Sequence, residues 1–350
     1  MPDRSRPAVE TFMAAEIRET PAVVERLMAA QGHRIADLGR RMRDRDPAVV
    51  VTCARGSSDH AAAFFKYACE ILLGVPVASI GPSVASVYGA PLRLGNAVVV
   101  SVSQSGVSPD IVALQAAARA AGAFSIAVVN QDDSPLAQGA DAVIPLGAGT
   151  ERSVAATKTC LASAVALAAL VAEWRDDAGL RAAVANLPDT LDRTLGRDWS
   201  AALPAFAPAT SAYVVGRGPA LPVAAEAALK LKETAVLHAE AFSGAEVMHG
   251  PLQLLEPGFP VMAFAQDDAS RDAMRDSVAR LRAAGGRVFA VTADRTPDGT
   301  DGLAAAPTGH PLLDPLSMLL GFYGFAERLA RARGHDPDRP SHLRKVTETT

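Results

Sequence analysis

The sequence predicts an α/β protein made of two tandem domains, each a doubly wound parallel sheet. Apolar strand patterns alternate with helical patterns along most of the chain, which is typical of parallel sheets covered by helices. A chain of 350 residues is long enough for about two such domains. The alternation restarts halfway, and later segments repeat earlier ones at an offset of roughly 163 residues. We interpret this offset as the signature of a duplicated domain.

The first half contains the clearer pattern. Residues 8–44 place apolar side chains at helical spacing and predict a pair of helices with a break at Pro21. A tight turn, Gly56-Ser57-Ser58, follows the first apolar run. The predicted strands are 49–53, 75–80, 97–103, 124–129 and 142–146. The predicted helices between and after them are 59–73, 108–121 and 154–175.

The second half repeats this order after a polar, proline-punctuated connector. Residues 213–218 repeat the first strand and its turn, 222–238 the helix after it, 260–264 the central strand and 287–291 the next strand. An apolar helix at 315–332 precedes a polar tail, and a polar tail is usually disordered unless something holds it. The predicted boundaries are 1–45 for the N-terminal helices, 46–175 for the first domain, 176–208 for the connector, 209–333 for the second domain and 334–350 for the tail.

Composition excludes several classes of partner. A net charge of −4 without a basic cluster argues against nucleic acid. The alanine-rich run at 160–172 is too short to span a bilayer, and the N-terminus has no apolar signal core, so we expect a cytoplasmic protein with no membrane partner. Cys53, Cys69 and Cys160 lie in apolar segments without metal-ligand spacing. We therefore expect reduced core cysteines and neither a metal nor another cofactor.

A serine-rich stretch, residues 101–110, lies where the central strand of the first half meets the next helix. The first N–H groups of a helix lack partners, so this position suits an anion. The stretch has no Walker lysine and no dinucleotide fingerprint, which favours a small phosphate ester. An N-capped turn without a ligand explains the same residues equally well. The second half has Ala265-Gln266-Asp267-Asp268 at the corresponding position, and these carboxylates would repel a phosphate.

Charged residues also recur on one helix of the second half. Glu226, Lys230 and Glu233 share a helix face within an apolar segment. An exposed salt-bridged stripe is one interpretation. The surrounding apolar residues favour another, in which the face is partly covered and a carboxylate with a raised pKa transfers protons. His249 lies in a turn, where a surface position is the simple alternative.

Several motifs in order resemble the isomerase half of glucosamine-6-phosphate synthase, the glutamine–fructose-6-phosphate amidotransferase, which has two sugar-isomerase (SIS) domains. The resemblance covers nearly the whole chain, including Glu16-Ile17-Arg18-Glu19-Thr20-Pro21 near its start. The other motifs are the Ser103-Gln104-Ser105-Gly106 loop, 149–158, 227–233, 238–241, 249–252 and 340–347.

The resemblance implies a role for each matched residue. It implies that Glu233 moves a proton between C1 and C2 of the sugar, with Lys230 beside it. It implies that His249 assists ring opening from the neighbouring subunit of a homodimer, and that Lys345 forms a Schiff base with the open-chain ketose, which requires a docked tail. The implied phosphate-binding and sugar-binding residues are Ser57, Ser58, Ser103, Gln104, Ser105 and Ser108, with Val154 and Arg344 through their backbones.

The chain also departs from the family pattern. Val107 replaces a glutamate, Ser108 a threonine and Arg344 an alanine, and the N-terminal glutaminase domain is missing from this sequence. Without a glutaminase we expect deamination and isomerisation of glucosamine 6-phosphate to fructose 6-phosphate and ammonia. The alternatives are an enzyme of the same class on another sugar phosphate, or a sugar-phosphate sensor. A sensor would be expected to lack Glu233, His249 and Lys345.

Overall fold

The structure is a computed structural model that describes residues 10–293 and 301–345. Strands within these ranges form two five-stranded, wholly parallel sheets. The first sheet contains β1 (Val49–Cys53), β2 (Val77–Ser79), β3 (Ala97–Ser103), β4 (Phe124–Val129) and β5 (Ala142–Pro145). The second contains β6 (Ser211–Gly216), β7 (His238–Ser243), β8 (Pro260–Phe264), β9 (Arg287–Ala293) and β10 (Leu303–Ala305).

Helices flank both sheets and connect their strands. Those in the first half are α1 (Phe12–Arg45), α2 (Gly56–Leu72), α3 (Ser83–Ser86), α4 (Pro109–Ala120), α5 (Pro135–Gln138) and α6 (Lys158–Arg175). Those that follow are α7 (Ala178–Ala185), α8 (Leu187–Leu195), α9 (Leu203–Phe206), α10 (Ala220–Ala235), α11 (Arg271–Ala283) and α12 (Asp314–Ala332). Single 3-10 turns occur at Ser200–Ala202, Glu246–Met248 and Pro251–Leu254.

The two sheets have the same strand order, which confirms the predicted duplication and the doubly wound α/β fold. The first is ordered β2-β1-β3-β4-β5 and the second β7-β6-β8-β9-β10. Central strands β3, β4 and β8 have the predicted bounds because they are wholly buried and therefore mostly apolar, with serine as the only polar residue type among them. Edge strands β7 and β10 were not predicted. The first carries exposed polar residues and the second is three residues long, so neither has an apolar run.

The N-terminal segment differs from its prediction. It forms one continuous helix, α1, with Pro21 inside it, rather than two helices with a break. Proline removes one N–H donor from a helix and usually bends or ends it. Here Ile17, Val24 and Leu27 on either side of Pro21 are buried, and α1 packs along α6. We attribute the continuity to this packing, which stabilises the helix on both sides of the missing hydrogen bond.

Two helices begin three or four residues away from their predicted starts. The predicted turn at residues 56–58 is the first turn of α2, and the left-handed backbone of Gly56, with φ of +54°, redirects the chain out of β1. Helix α6 begins at Lys158 rather than 154, which leaves 146–157 as a loop beyond β5. Residues 176–208, all described, contain helices and no strand. No helix in the described ranges is both long and apolar enough to cross a membrane.

One core joins the two halves. Helix α6 is buried over nearly its whole length, and it contacts α1, α2 and α12. Helix α10 of the second half contacts both α2 and α12. The same apolar cluster therefore contains Phe64 of α2, Leu231 of α10 and Phe322 of α12. This shared core fixes the edge of the first sheet relative to α10.

Gly39 provides a test of the packing between α1 and α6. A Cβ atom at Gly39 would lie 2.5 Å from Glu173 Cβ and 2.9 Å from the backbone nitrogen of Trp174. We expect Gly39→Ala to lower the free energy of unfolding by about 1–3 kcal/mol in urea denaturation, because α1 must shift away from α6.

Gly32, in the same helix, has no described heavy atom within 4 Å of an added Cβ. Gly32→Ala is therefore the matched control and should raise the free energy of unfolding by up to about 1 kcal/mol through helix propensity. Equal effects of the two substitutions would contradict close packing at Gly39.

Candidate active site

A pocket of about 350 Å³ opens at the carboxyl edge of the first sheet. This edge is where ligands bind in open parallel sheets. One wall consists of predicted phosphate-binding residues: Ser57, Ser58, Ser103, Gln104, Ser105 and Ser108. Four further predicted residues line the same pocket: Val154, Glu233, Arg344 and Lys345. The fold thus brings ten of the twelve predicted site residues to one pocket.

The serine wall is formed by the starts of two helices, α2 and α4. Ser57 and Ser58 lie in the first turn of α2, and Ser108 immediately precedes α4. The Ser108 side chain makes no capping hydrogen bond to α4 within the described residues, so its hydroxyl is not used as the N-capped alternative requires. Two helix starts at one edge combine unpartnered N–H groups with the positive ends of two helix dipoles.

The loop between β3 and α4 depends on a glycine. Gly106 has a left-handed backbone with φ of +65°, and its N–H donates to Ser103 Oγ at 3.0 Å. A Cβ atom there would lie 2.1 Å from Ser134 Oγ. Glycine is therefore required at position 106 for two reasons: the backbone is left-handed there, and a side chain would collide with Ser134. It lets the chain turn tightly enough to keep Ser103 and Ser105 at the pocket.

Helix α10 contributes Glu233 to the lining of the pocket. Glu226 and Lys230 are wholly buried, whereas the Glu233 side chain is 21% exposed and lines the pocket. Lys230 Nζ donates to Glu233 and lies 3.6 Å from Glu226 Oε1. The exposed salt-bridged stripe is therefore the wrong interpretation of this face. The apolar neighbours of these residues cover the face, and Lys230 lies behind Glu233 rather than in the pocket.

Glu226 has two further partners that the sequence did not indicate. His60 Nδ1 lies 2.7 Å from Glu226 Oε2, and the Tyr323 hydroxyl donates to Glu226 Oε1 at 3.1 Å. Burial alone would raise the pKa of Glu226, but Lys230, His60 and Tyr323 outweigh it and lower that pKa. Burial would likewise lower the pKa of Lys230, but the carboxylates of Glu226 and Glu233 raise it to about 12. Each charged side chain of this cluster thus has an ionic or hydrogen-bonding partner.

The C-terminal tail is held in place at Lys345, and the predicted role of Lys345 requires a docked tail. Lys345 Nζ donates to the Ser153 carbonyl at 2.7 Å and to Glu151 Oε2 at 3.1 Å. Glu151 is itself buried and accepts from the backbone N–H of Thr157 at 3.0 Å and from the hydroxyl of Thr159 at 2.7 Å. Residues 346–350 of the predicted tail and 1–9 of the predicted N-terminal segment lie outside the described residues.

Helix α1 holds the loop on which Lys345 rests. Glu16 is buried and accepts from the backbone N–H groups of Arg152 and Ser153. Burial raises the pKa of Glu16. Lys158 Nζ pairs with Glu19 Oε2 at 2.8 Å. The matched motif at 16–21 therefore has a physical role here, which is to fix loop 146–157 beneath the tail.

His249 lies apart from this pocket. It is exposed, follows the 3-10 turn at Glu246–Met248, and is not among the described residues that line the pocket. Its predicted role in a neighbouring subunit stays a prediction. In the described ranges no group of three or more His, Cys, Asp or Glu side chains could hold a metal ion.

In the second domain, the helix start that corresponds to the start of α4 is that of α11. A carboxylate of the chain itself, Asp268, lies there. Asp268 accepts from the Ser270 N–H at 2.7 Å and the Ser270 hydroxyl at 2.6 Å, just before α11. Asp267 pairs with Arg271 at 2.7 Å on the surface. These carboxylates lie where the first domain has Ser105 and its neighbours. A phosphate at this position would meet these carboxylates, and the expectation of a single phosphate site, in the first domain, stays a prediction.

The duplicated sheets and the pocket at the carboxyl edge define a class of tandem α/β-domain proteins. Residues 45–173 and 205–297 match the family described as the SIS domain. The chain therefore belongs to the SIS-domain family, as its motifs predicted.

Individual relatives are consistent with this assignment. The chain is 36% identical to the glutamine–fructose-6-phosphate aminotransferase [isomerizing] of Aeropyrum pernix, over 98% of this chain and 55% of that protein. It thus spans about half the length of the curated relatives it matches. A crystal structure from Silicibacter pomeroyi, provisionally named a phosphosugar isomerase, has 47% identity and a TM-score of 0.89, and covers 94% of this chain and 100% of that one. The glucosamine-6-phosphate deaminase of Thermotoga maritima, at 18% identity and a TM-score of 0.78, covers 97% of this chain and 100% of that one and shares the fold.

A charge placed on the serine wall tests the phosphate site. We expect Ser105→Asp to weaken binding of fructose 6-phosphate at least about 100-fold in isothermal titration calorimetry, because the new carboxylate repels the phosphate. Asp267→Ser, the reciprocal change in the second domain, should leave the affinity within about twofold, since it removes only a surface ion pair. Equal losses in both variants would mean that both domains bind the ligand.

Proposed function

We propose that this chain is a sugar-phosphate isomerase that converts glucosamine 6-phosphate to fructose 6-phosphate and ammonia. The observation that carries the proposal is the pocket that Glu233 and Lys345 line together with serines from two helix starts. Membership of the SIS family supports a sugar-phosphate enzyme or binding protein. The presence of Glu233 and Lys345 in the pocket favours an enzyme over a sensor, since binding alone needs neither group.

The proposed reaction begins with the phosphate at the serine wall. Ser57 and Ser58 at the start of α2 and Ser105 and Ser108 before α4 would donate hydrogen bonds to its oxygens. Anchoring one end of the sugar holds C1 and C2 towards Glu233, and this positioning supplies part of the rate enhancement. The backbones of Val154 and Arg344 would contact the sugar itself.

Glu233 is the proposed base. In the open-chain aldose its carboxylate removes the proton from C2 and returns it to C1, while the aldehyde oxygen takes a proton from the C2 ammonium group; the result is a C1 hydroxyl and a protonated imine at C2. Water then adds to this imine, and ammonia leaves as the ketone of fructose 6-phosphate forms. The step needs no oxidant or reductant, since the aldehyde carbon is reduced as C2 is oxidised. Lys230, which donates to Glu233 from behind, would hold the carboxylate in place.

Lys345 is proposed to bind the open-chain ketose as a Schiff base: its neutral amine adds to the C2 ketone and water leaves, and water hydrolyses the C2–N bond again when the product is released. Its amine is held by the Ser153 carbonyl and Glu151 in the pocket that the serines also line. The same groups could serve the reverse reaction with free ammonia. The 36% identity to an aminotransferase is the observation that favours this second candidate, so the assay must be run in both directions.

The decisive experiment measures ammonia and fructose 6-phosphate formed from glucosamine 6-phosphate by the purified chain. We expect Glu233→Gln to lower kcat by about two to four orders of magnitude while fructose 6-phosphate still binds, because glutamine keeps the shape but cannot take a proton. Glu256→Gln, at an exposed glutamate away from the pocket, is the control and should keep full activity. Turnover by the wild-type protein on other sugar phosphates alone would contradict the amino-sugar substrate.

We also propose a homodimer in which His249 of one subunit opens the sugar ring in the pocket of the other. Its exposed position outside its own pocket supports this arrangement. Homodimers of Glu233→Gln and of His249→Ala should both be nearly inactive. Mixing the two should restore up to about a quarter of wild-type turnover, since a mixed dimer has one pocket with both groups intact and half of the random pairs are mixed.

The mixing experiment needs proof that mixed dimers form, for example by affinity tags of two kinds on the two variants. Mixed dimers that are as inactive as their parents would mean that His249 serves its own chain or takes no part in the reaction.

A further inference from the structure

A buried ion cluster connects the two domains directly behind the pocket. Glu226 of α10, in the second domain, is wholly buried and contacts His60 of α2, in the first domain, at 2.7 Å. Its other oxygen accepts from Tyr323 and lies 3.6 Å from Lys230. No residue of this cluster other than Lys230 has a role in the reaction proposed above, although Glu226 belongs to the charged helix face.

The protonation of the cluster follows from its charges. Glu226 is ionised at neutral pH because its neighbours lower its pKa in spite of burial. An ionised carboxylate can only accept hydrogen bonds, so Nδ1 of His60 must carry the proton and donate. A charge-assisted bond of this kind is stronger than a bond between neutral groups. His60 therefore satisfies one of the two oxygens of Glu226.

Lys230 is shared between two carboxylates. It donates directly to Glu233, whereas its distance to Glu226 is 3.6 Å. All three side chains lie on one face of α10, with Lys230 one turn from each carboxylate. Because Glu226 already has His60 and Tyr323, Lys230 is free to bond to Glu233. Loss of the His60 donor would leave a buried anion short of one partner, and Lys230 is the nearest group able to replace it.

The cluster also places the two parts of the pocket relative to each other. His60 lies in the second turn of the helix whose first turn carries Ser57 and Ser58. Glu226 lies two turns before Glu233 on α10. The contact between His60 and Glu226 thus joins the helix of the phosphate wall to the helix of the base, over 166 residues of sequence.

We propose that His60 is a positioning residue for Glu233: by bonding to Glu226 it leaves Lys230 with Glu233, and so holds the Glu233 carboxylate beside the phosphate-anchored sugar. This inference rests on the proposed function, since it assigns Glu233 as the base. His60 itself acts only through Glu226 and Lys230. The phosphate contacts at Ser57 and Ser58 precede His60 on the helix and do not depend on its ring.

Two substitutions of His60 distinguish the effect of its hydrogen bond from the effect of its ring. His60→Phe keeps the ring and removes the donor, whereas His60→Asn removes the ring and keeps an N–H donor near the place of Nδ1. We expect His60→Phe to lower kcat about tenfold with KM within about twofold, and His60→Asn to stay near the wild-type kcat. A purely packing role predicts the reverse order, with His60→Asn the poorer enzyme, and that order would overturn the proposal.

Controls keep the result interpretable. His60→Leu, which also lacks a donor and is smaller than phenylalanine, should match His60→Phe and replaces it if the larger ring prevents folding. His33→Ala, at an exposed histidine of α1, should leave kcat and KM unchanged. Equal kcat values for wild type, His60→Phe and His60→Leu would overturn the proposal.

A second measurement does not depend on turnover. In crystal structures of the variants, Lys230 Nζ should leave Glu233 and bond to Glu226 in His60→Phe, and should remain with Glu233 in His60→Asn. If the wild-type protein turns over no sugar phosphate, the proposed function fails, yet these structures still decide whether His60 controls Lys230. Lys230 bonded to Glu233 in both variants would overturn the inference while leaving the proposed function standing.

Discussion

The buried ammonium of Lys230 constrains the region where the two domains meet. An unpaired ammonium in an apolar interior is so unfavourable that it must have anionic partners. Glu226 and Glu233 provide them on the same face of α10, but each carboxylate then has oxygens to satisfy. Glu233 reaches the pocket, and Glu226 needs His60 and Tyr323 from other elements. One buried charge therefore sets how α2, α10 and α12 pack around the pocket.

The same reasoning explains the tail and the N-terminal helix. Glu151 is a buried carboxylate, and its bonds from residues 157 and 159 fix the loop before α6. The remaining capacity of that carboxylate is used by Lys345, which docks the tail. Glu16 holds the other side of the loop from α1 through backbone N–H groups. Segments at opposite ends of the chain thus meet at one loop, Lys345 through the carboxylate of Glu151 and Glu16 through backbone N–H groups.

The sequence predicted what depends on local pattern and missed what depends on distant pairing. The bounds of β3, β4 and β8 were predicted to the residue because burial makes these strands mostly apolar. The serines of the pocket were predicted from their position at or after the ends of β1 and β3. The Pro21 break was wrong because packing against α6 outweighs the local preference of proline. His60 and Glu226 are 166 residues apart, and Glu16 and Ser153 137 apart, and no periodicity in a single sequence connects such pairs.

Duplication gave the chain two equivalent helices, α2 and α10. Their sequences differ, and each contributes different residues in and behind one pocket. Gly56 and Gly218 have nearly equal left-handed φ angles, +54° and +56°, which aligns α2 with α10. In this alignment Ser57 and Ser58 correspond to Pro219 and Ala220, so the hydroxyls occur only in the first copy. Glu226 and Lys230 correspond to two buried apolar residues of α2, Phe64 and Ala68. A charged cluster in both copies would add a second set of buried ions to one core. One copy therefore supplies the serines of the pocket, the other supplies Glu233, and the contact between His60 and Glu226 joins the two helices.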